Sequence, residues 1–258
     1  MTVRTAVAAV LVVTSVAACS PQPPTELDYM RVLVDGQLTL GIVKRDATPS
    51  AVVIFFHGLD NQESSLIADE PHKELTDKLV NAGFAVIASK AGGNAYGNPA
   101  SQRNYRDLAK QAVEHYRVEN VFLLAESMGA IAAANLLASG DPPKVLGLAA
   151  ISPVLNLADP PSEHREAIAS SFAAESIEEV DPMSLPAKEF QGKKVRIYAT
   201  PEDSLVLTDV NARAFQARFG SVADISILSC TGPHLDRSCI QGDDIVKWFT
   251  QLETDAQS

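Results

Sequence analysis

The sequence predicts an α/β fold in which a mostly parallel central sheet carries helices on both faces. Two observations carry this. Short, continuous apolar runs recur along the chain, as strands buried on both faces require, and helical stretches separate them. The chain has 258 residues, 46% of them hydrophobic, which suits one domain with one sizeable core.

The elements follow in order. Tyr29–Val34 and Gln37–Val43 are β-rich runs joined by Asp35-Gly36, a preferred hairpin turn. Ala51–Phe56 is the first continuous apolar strand. A helix is expected over Glu63–Ala82, stopped by Gly83. Phe84–Ala88 is the next strand, Asn104–Tyr116 a helix, Asn120–Leu124 a strand and Met128–Ala138 an Ala-rich helix. Val145–Ile151, Val195–Tyr198 and Ile225–Leu228 complete the sheet, and Asp243–Leu252 closes the chain as an amphipathic helix. Pro153–Glu189 interrupts the alternation with its own helical piece at Ser162–Val180. It is either a small cap over the site or an ordinary pair of surface helices.

The first residues carry a location. One positive charge, Arg4, precedes Ala6–Ala18, a 13-residue apolar run too short to span a bilayer. The run ends Val16-Ala17-Ala18-Cys19. This resembles a bacterial lipoprotein signal over residues 1–19, with Cys19 as the lipidated residue; the alternative is an ordinary secretory leader. Residues 20–27, rich in proline, then form a tether, and residues 28–258 the domain. Export, with the lipid anchor on the outer face of the cytoplasmic membrane, permits a Cys230–Cys239 disulfide. The formal net charge of −11 disfavours nucleic acid as a partner.

Chemistry concentrates at three places. Ala125-Glu126-Ser127-Met128-Gly129 lies between a buried strand and a small-residue helix, the setting of a nucleophile elbow. Gly129 matches the second glycine of G-x-S-x-G, and Ala125 replaces the first. The acid belongs just past a later strand, where Asp203 is preferred and Glu202 competes. Of five histidines, only His234 follows the last strand, which makes it the expected base. His57, in Phe55-Phe56-His57-Gly58-Leu59, reads as structural rather than as a base. The histidines lack zinc-site spacing, and no P-loop or dinucleotide fingerprint appears, so neither a metal nor another cofactor is expected.

With Ser127, Asp203 and His234 in that order, the sequence resembles the α/β-hydrolase superfamily from about Asp28 to Leu252. The resemblance implies the α/β-hydrolase fold, a Ser127–His234–Asp203 triad and acyl transfer through an acyl-enzyme. It also implies an oxyanion hole made by the backbone N–H groups of Leu59 and Met128. Ser89–Pro99 resembles the glycine-bearing loop beside the site in esterase, lipase and peptidase branches, but Lys90 stands where many members have an acid.

The activity expected first is hydrolysis of a small-molecule or cell-envelope ester outside the cytoplasm. Amide or peptide hydrolysis by the same residues is an alternative, as is a non-catalytic lipoprotein that binds an envelope component. Asp159, Glu163, Glu166, Glu175, Glu178, Glu179 and Asp181, against Arg165 alone, give the cap segment a negative field. Over the site, that field would favour neutral esters, and the segment's narrow apolar face suggests short or medium acyl chains.

Overall fold

The computed structural model describes residues 26–140, 144–158, 160, 164–172 and 176–257. Cys19, the leader and most of the tether lie outside these residues. The described chain enters the sheet at Leu27, slightly before the expected boundary, because Leu27 already pairs with Lys44.

Eight strands form one sheet in the order β1-β2-β4-β3-β5-β6-β7-β8. β1 (Leu27–Val34) and β2 (Gln37–Lys44) make the expected hairpin. Its turn holds Asp35 at φ 49° and Gly36 at φ 72°, so both central residues are left-handed, as the tightest hairpin turn demands. β2 pairs antiparallel with β4 (Phe84–Ser89). From β4 onward the sheet is parallel: β3 (Ala51–Phe56), β5 (Asn120–Glu126), β6 (Lys144–Ile151), β7 (Lys194–Ala199) and β8 (Asp224–Ser229).

The two-residue period of β3 divides the core. Val52, Ile54 and Phe56 face one layer with Tyr105, Leu108, Phe215 and Phe219. Ala51, Val53 and Phe55 face the other with Leu75, Leu79, Ile245 and Phe249. The first layer is supplied by α2 (Pro99–Tyr116), α3 (Gly129–Ser139) and α5 (Ala214–Phe219). The second comes from α1 (Glu70–Asn81) and α6 (Gly242–Gln257).

Four expectations need correction. The helix expected from Glu63 is a 3-10 turn, Glu63–Ile67, followed by α1. Asp69 caps α1 by accepting from the His72 N–H, and Pro71, which has no N–H to give, sits in its first turn. α2 begins earlier than expected, at Pro99, because Asn98 caps it through the Ser101 N–H. The helical piece expected over Ser162–Val180 is shorter: α4 spans Arg165–Phe172, and 3-10 turns follow it. The fourth is an omission, α5, whose Phe215 and Phe219 pack against Phe190.

Candidate active site

Because β3, β5, β7 and β8 run parallel, the segments that follow them gather at one edge of the sheet. Ser127 follows β5 directly, at φ 47°, a left-handed conformation that few side chains adopt. Two backbone bonds hold it there: its N–H donates to the Ile151 carbonyl, and its carbonyl accepts from the Val154 N–H. A Cβ at Gly129 would lie 2.3 Å from the Phe56 carbonyl oxygen, so close packing of α3 under β3 admits no side chain. Ala125, where many such elbows have glycine, is fully buried in β5 and fits.

His234 joins the other two expected residues. Its Nε2 lies 2.9 Å from Ser127 Oγ and its Nδ1 2.6 Å from Asp203 Oδ2. A carboxylate only accepts, so Nδ1 carries the proton and Nε2 accepts from the serine hydroxyl. Asp203 is buried, and its other oxygen accepts from the N–H groups of Leu205 and Val206, at 3.0 and 2.7 Å. The carboxylate is therefore fixed in direction before the histidine meets it. Glu202 turns away and accepts from the Gly232 N–H at 3.1 Å, bracing the histidine loop.

Cys230 and Cys239 are joined, and the bridge closes the loop that carries His234. Both cysteines are buried against the α6 layer, so the loop is tied to the core at its two ends.

Leu59 and Met128 line the same cavity as Ser127 and His234. Among the described residues neither of their backbone N–H groups has a hydrogen-bond partner, so both are free to donate to an acceptor in the cavity. His57 is buried, and its ring nitrogens lie 2.8 Å from the Gly58 carbonyl oxygen and 3.0 Å from that of Lys90. It braces the Leu59 loop against the loop after β4. This is the structural place expected of it.

The cavity measures about 200 Å³. Its walls are mainly apolar, with Val154, Leu205 and Val206 lining it together with Ser127. Pro160, His164 and Ile168 close it from the inserted segment. Ile168 and Phe172 are buried against Tyr96, Met128 and Leu157, so α4 lies over the site. The described cap acids do not line it. Glu166, Glu178 and Glu179 are exposed and none lines the cavity, while Asp159, Glu163 and Glu175 lie outside the described residues. Asp181 is buried for a structural reason, accepting from the N–H groups of Leu157 and Met183. Among the described cap acids, then, none places its carboxylate in the lining of the pocket. Among the described residues the carboxylate that lines it is Asp60, which accepts from the Asn94 side-chain amide while its backbone N–H donates to the same side chain, both at 2.8 Å. Burial, and then the charge of Asp60, hold the Tyr96 phenol above its ordinary range.

A second charged array escaped the sequence reading. His72 Nε2 lies 2.9 and 3.1 Å from the two oxygens of Glu126, and Nδ1 lies 2.6 Å from Asp69 Oδ1. Glu126 is the residue before Ser127 and is buried at the end of β5. A glutamate closing an otherwise apolar strand was the available signal.

Among the described residues, no group of three His, Cys, Asp or Glu side chains could hold a metal ion, and no helix is long and apolar enough to cross a membrane.

The strand order and the serine elbow define a serine hydrolase of the α/β-hydrolase superfamily. The chain belongs to the serine aminopeptidase S33 family, whose model matches residues 47–226, more than half of its length. No curated protein matches it. Among solved structures it is similar to TT1662 from Thermus thermophilus, with a TM-score of 0.66, 15% identity, and 88% of this chain and 98% of that one covered. It is also similar to the Pyrococcus furiosus esterase Pf2001 (TM-score 0.64, 16% identity, 90% and 93% covered). An S-formylglutathione hydrolase from Agrobacterium tumefaciens gives a TM-score of 0.67 at 15% identity, with 87% and 94% covered. These likenesses are of fold.

Proposed function

We propose that the protein is an exported, lipid-anchored carboxylic ester hydrolase in which Ser127, His234 and Asp203 form the catalytic triad. The observation that carries this is the pair of hydrogen bonds from His234 to Ser127 and Asp203. Cys19 serves as the anchor in this reading, and the Cys230–Cys239 bridge fits a compartment where disulfides persist.

The chemistry follows from the geometry. As Ser127 Oγ attacks the ester carbonyl carbon, its proton passes to His234 Nε2, and Asp203 stabilises the imidazolium. The carbonyl oxygen becomes an oxyanion between the Leu59 and Met128 N–H groups. Collapse breaks the bond to the alcohol oxygen, which takes the proton from His234 and leaves an acyl-serine. Water, deprotonated by the same nitrogen, then releases the acid and restores the hydroxyl.

The cavity lies below the ~300–1,000 Å³ usual for drug-sized ligands, which favours an ester with a short or medium acyl chain, and the Asp60 carboxylate in its lining favours a neutral ester over an anionic one. A second reading, amide hydrolysis by the same triad, draws on the S33 family and on Asp60, whose carboxylate would suit a substrate amine. Labelling by a fluorophosphonate probe tests the nucleophile, with loss expected in Ser127→Ala. Comparing p-nitrophenyl esters with aminoacyl p-nitroanilides separates the two substrate readings.

A further inference from the structure

Immediately behind the nucleophile stands a buried carboxylate that the acyl-transfer steps do not use. Glu126 is 1% exposed, yet it is the residue that leads into Ser127. Its two oxygens meet one partner, the His72 ring, which reaches across from the first turn of α1. The other ring nitrogen meets Asp69, the residue that caps α1. A chain of three charges thus runs from the helix end at the surface to the base of the elbow.

We propose that this Asp69–His72–Glu126 array is a positioning device for the elbow: a protonated His72 cancels the Glu126 charge, so that the oxyanion forms beside a neutral pair. The proposal rests on Ser127 being the nucleophile. A buried carboxylate without its cation would be a like charge close to the developing oxyanion, in a site where water screens poorly. It would also leave an unpaired acceptor under a backbone turn that is already left-handed.

The surroundings support a charged His72. Burial alone would push its pKa down, but the hydrogen bond and charge of Glu126, and then those of Asp69, outweigh it and raise the value to about 9. From β3, the Phe55 ring presents an edge to His72 and brings no charge. Other charges around α1 are engaged elsewhere: Lys73 with Asp77, Lys78 with Glu74 and Asp243, Arg237 with Glu74, and Glu63 with Arg31. His234 and Asp203 are engaged with Ser127 and with each other. Among the described residues His72 is therefore the cation available to Glu126, and its protonation sets the charge behind Ser127.

The test compares His72→Gln with the double variant His72→Gln/Glu126→Gln, using p-nitrophenyl acetate across the pH range and thermal melting as the folding control. At neutral pH, His72→Gln is expected to lose about ten- to a hundredfold in kcat, with KM changed by less than about twofold. The double variant, with no charge left to cancel, recovers most of that loss. The wild type loses kcat as pH rises through about 9, and the double variant lacks this alkaline limb. A folded His72→Gln enzyme with wild-type kcat overturns the proposal, as does a double variant no better than the single one. Should His72→Gln fail to fold, an identical alkaline limb in the wild type and the double variant overturns it. Turnover that persists in Ser127→Ala overturns the nucleophile assignment instead, so the two failures are distinct.

Discussion

Asp203 and Glu202 are adjacent in sequence and opposite in direction: one carboxylate accepts from the ring of His234, the other from the backbone of Gly232. The sequence favours Asp203, with Glu202 as its neighbouring competitor past the same strand tip. The turn separates them, because the N–H groups of Leu205 and Val206 claim the other oxygen of Asp203. Asp203→Asn is expected to lower kcat on p-nitrophenyl acetate by about 10³–10⁴, through the wrong histidine tautomer. Glu202→Gln keeps an acceptor for Gly232 and costs less than about tenfold. The reverse order would move the acid to Glu202.

Gly129→Ala tests the close approach under the elbow. The new methyl group would meet backbone atoms, the Phe56 carbonyl at 2.3 Å and the His57 carbonyl oxygen at 2.7 Å, and backbone cannot step aside as a side-chain tip can. A loss of at least about 2 kcal/mol in urea unfolding is expected, together with much slower fluorophosphonate labelling. Unchanged unfolding midpoint and labelling rate would show that α3 can shift away from β3.

What the sequence revealed, and what it hid, divides along physical lines. Strands buried on both faces, such as β3, β4 and β5, announce themselves as apolar runs, the β1–β2 hairpin shows through its Asp35-Gly36 turn, and all eight strands lie within a few residues of their expected positions. The Ser127 turn, Asp203 and His234 were readable because each is a distinctive residue type just past a strand end, and the structure brings the three together. α5 stayed hidden because it is only six residues long and follows a π-type turn, Asp209–Arg213. His72 and Glu126 stayed hidden for another reason. Glu126 at the end of an apolar strand was a local sign of a buried charge, but its partner lies 54 residues away on another element, and nothing local identifies it as His72.

The bridge beside His234 should matter more to activity than to the fold. Cys230 and Cys239 are nine residues apart, and so short a loop gains roughly 2–3 kcal/mol in the chain-entropy account. The same bridge anchors the loop that presents His234. Reduction under native conditions is expected to lower kcat several-fold before the melting transition moves far. Two readily alkylated thiols in protein prepared from an oxidising compartment would refute the pairing.

His72 gives stability a pH dependence with a definite sign. Its folded pKa of about 9 lies above its ordinary 6.5, so the stabilisation is complete below about pH 6.5 and is lost as pH rises through about 9. Discounted for partial screening, the amount is on the order of 2 kcal/mol. The melting temperature should therefore fall between pH 7 and pH 10 in the wild type, and fall less in His72→Gln/Glu126→Gln. Parallel curves for the two proteins would mean that the Glu126 pair adds nothing to folding across this range.

The last prediction concerns which acyl groups the enzyme accepts. Ile168 is buried where α4 closes the cavity, packed with Met128, Val154 and Val206 around a space of about 200 Å³. A space of that size holds a short chain and denies room to a long one. Across p-nitrophenyl esters from acetate to palmitate, kcat/KM should peak at short or medium chains, with no activation by emulsions, since α4 offers only a narrow apolar face. Ile168→Ala would remove three carbons from the cavity wall. It should shift the optimum towards longer chains, at a cost of about 2–4 kcal/mol in stability. If Ile168 bounds the acyl site, acetate turnover changes little while turnover of longer esters rises. A palmitate optimum in the wild type, or an unchanged profile in Ile168→Ala, would place the acyl chain elsewhere.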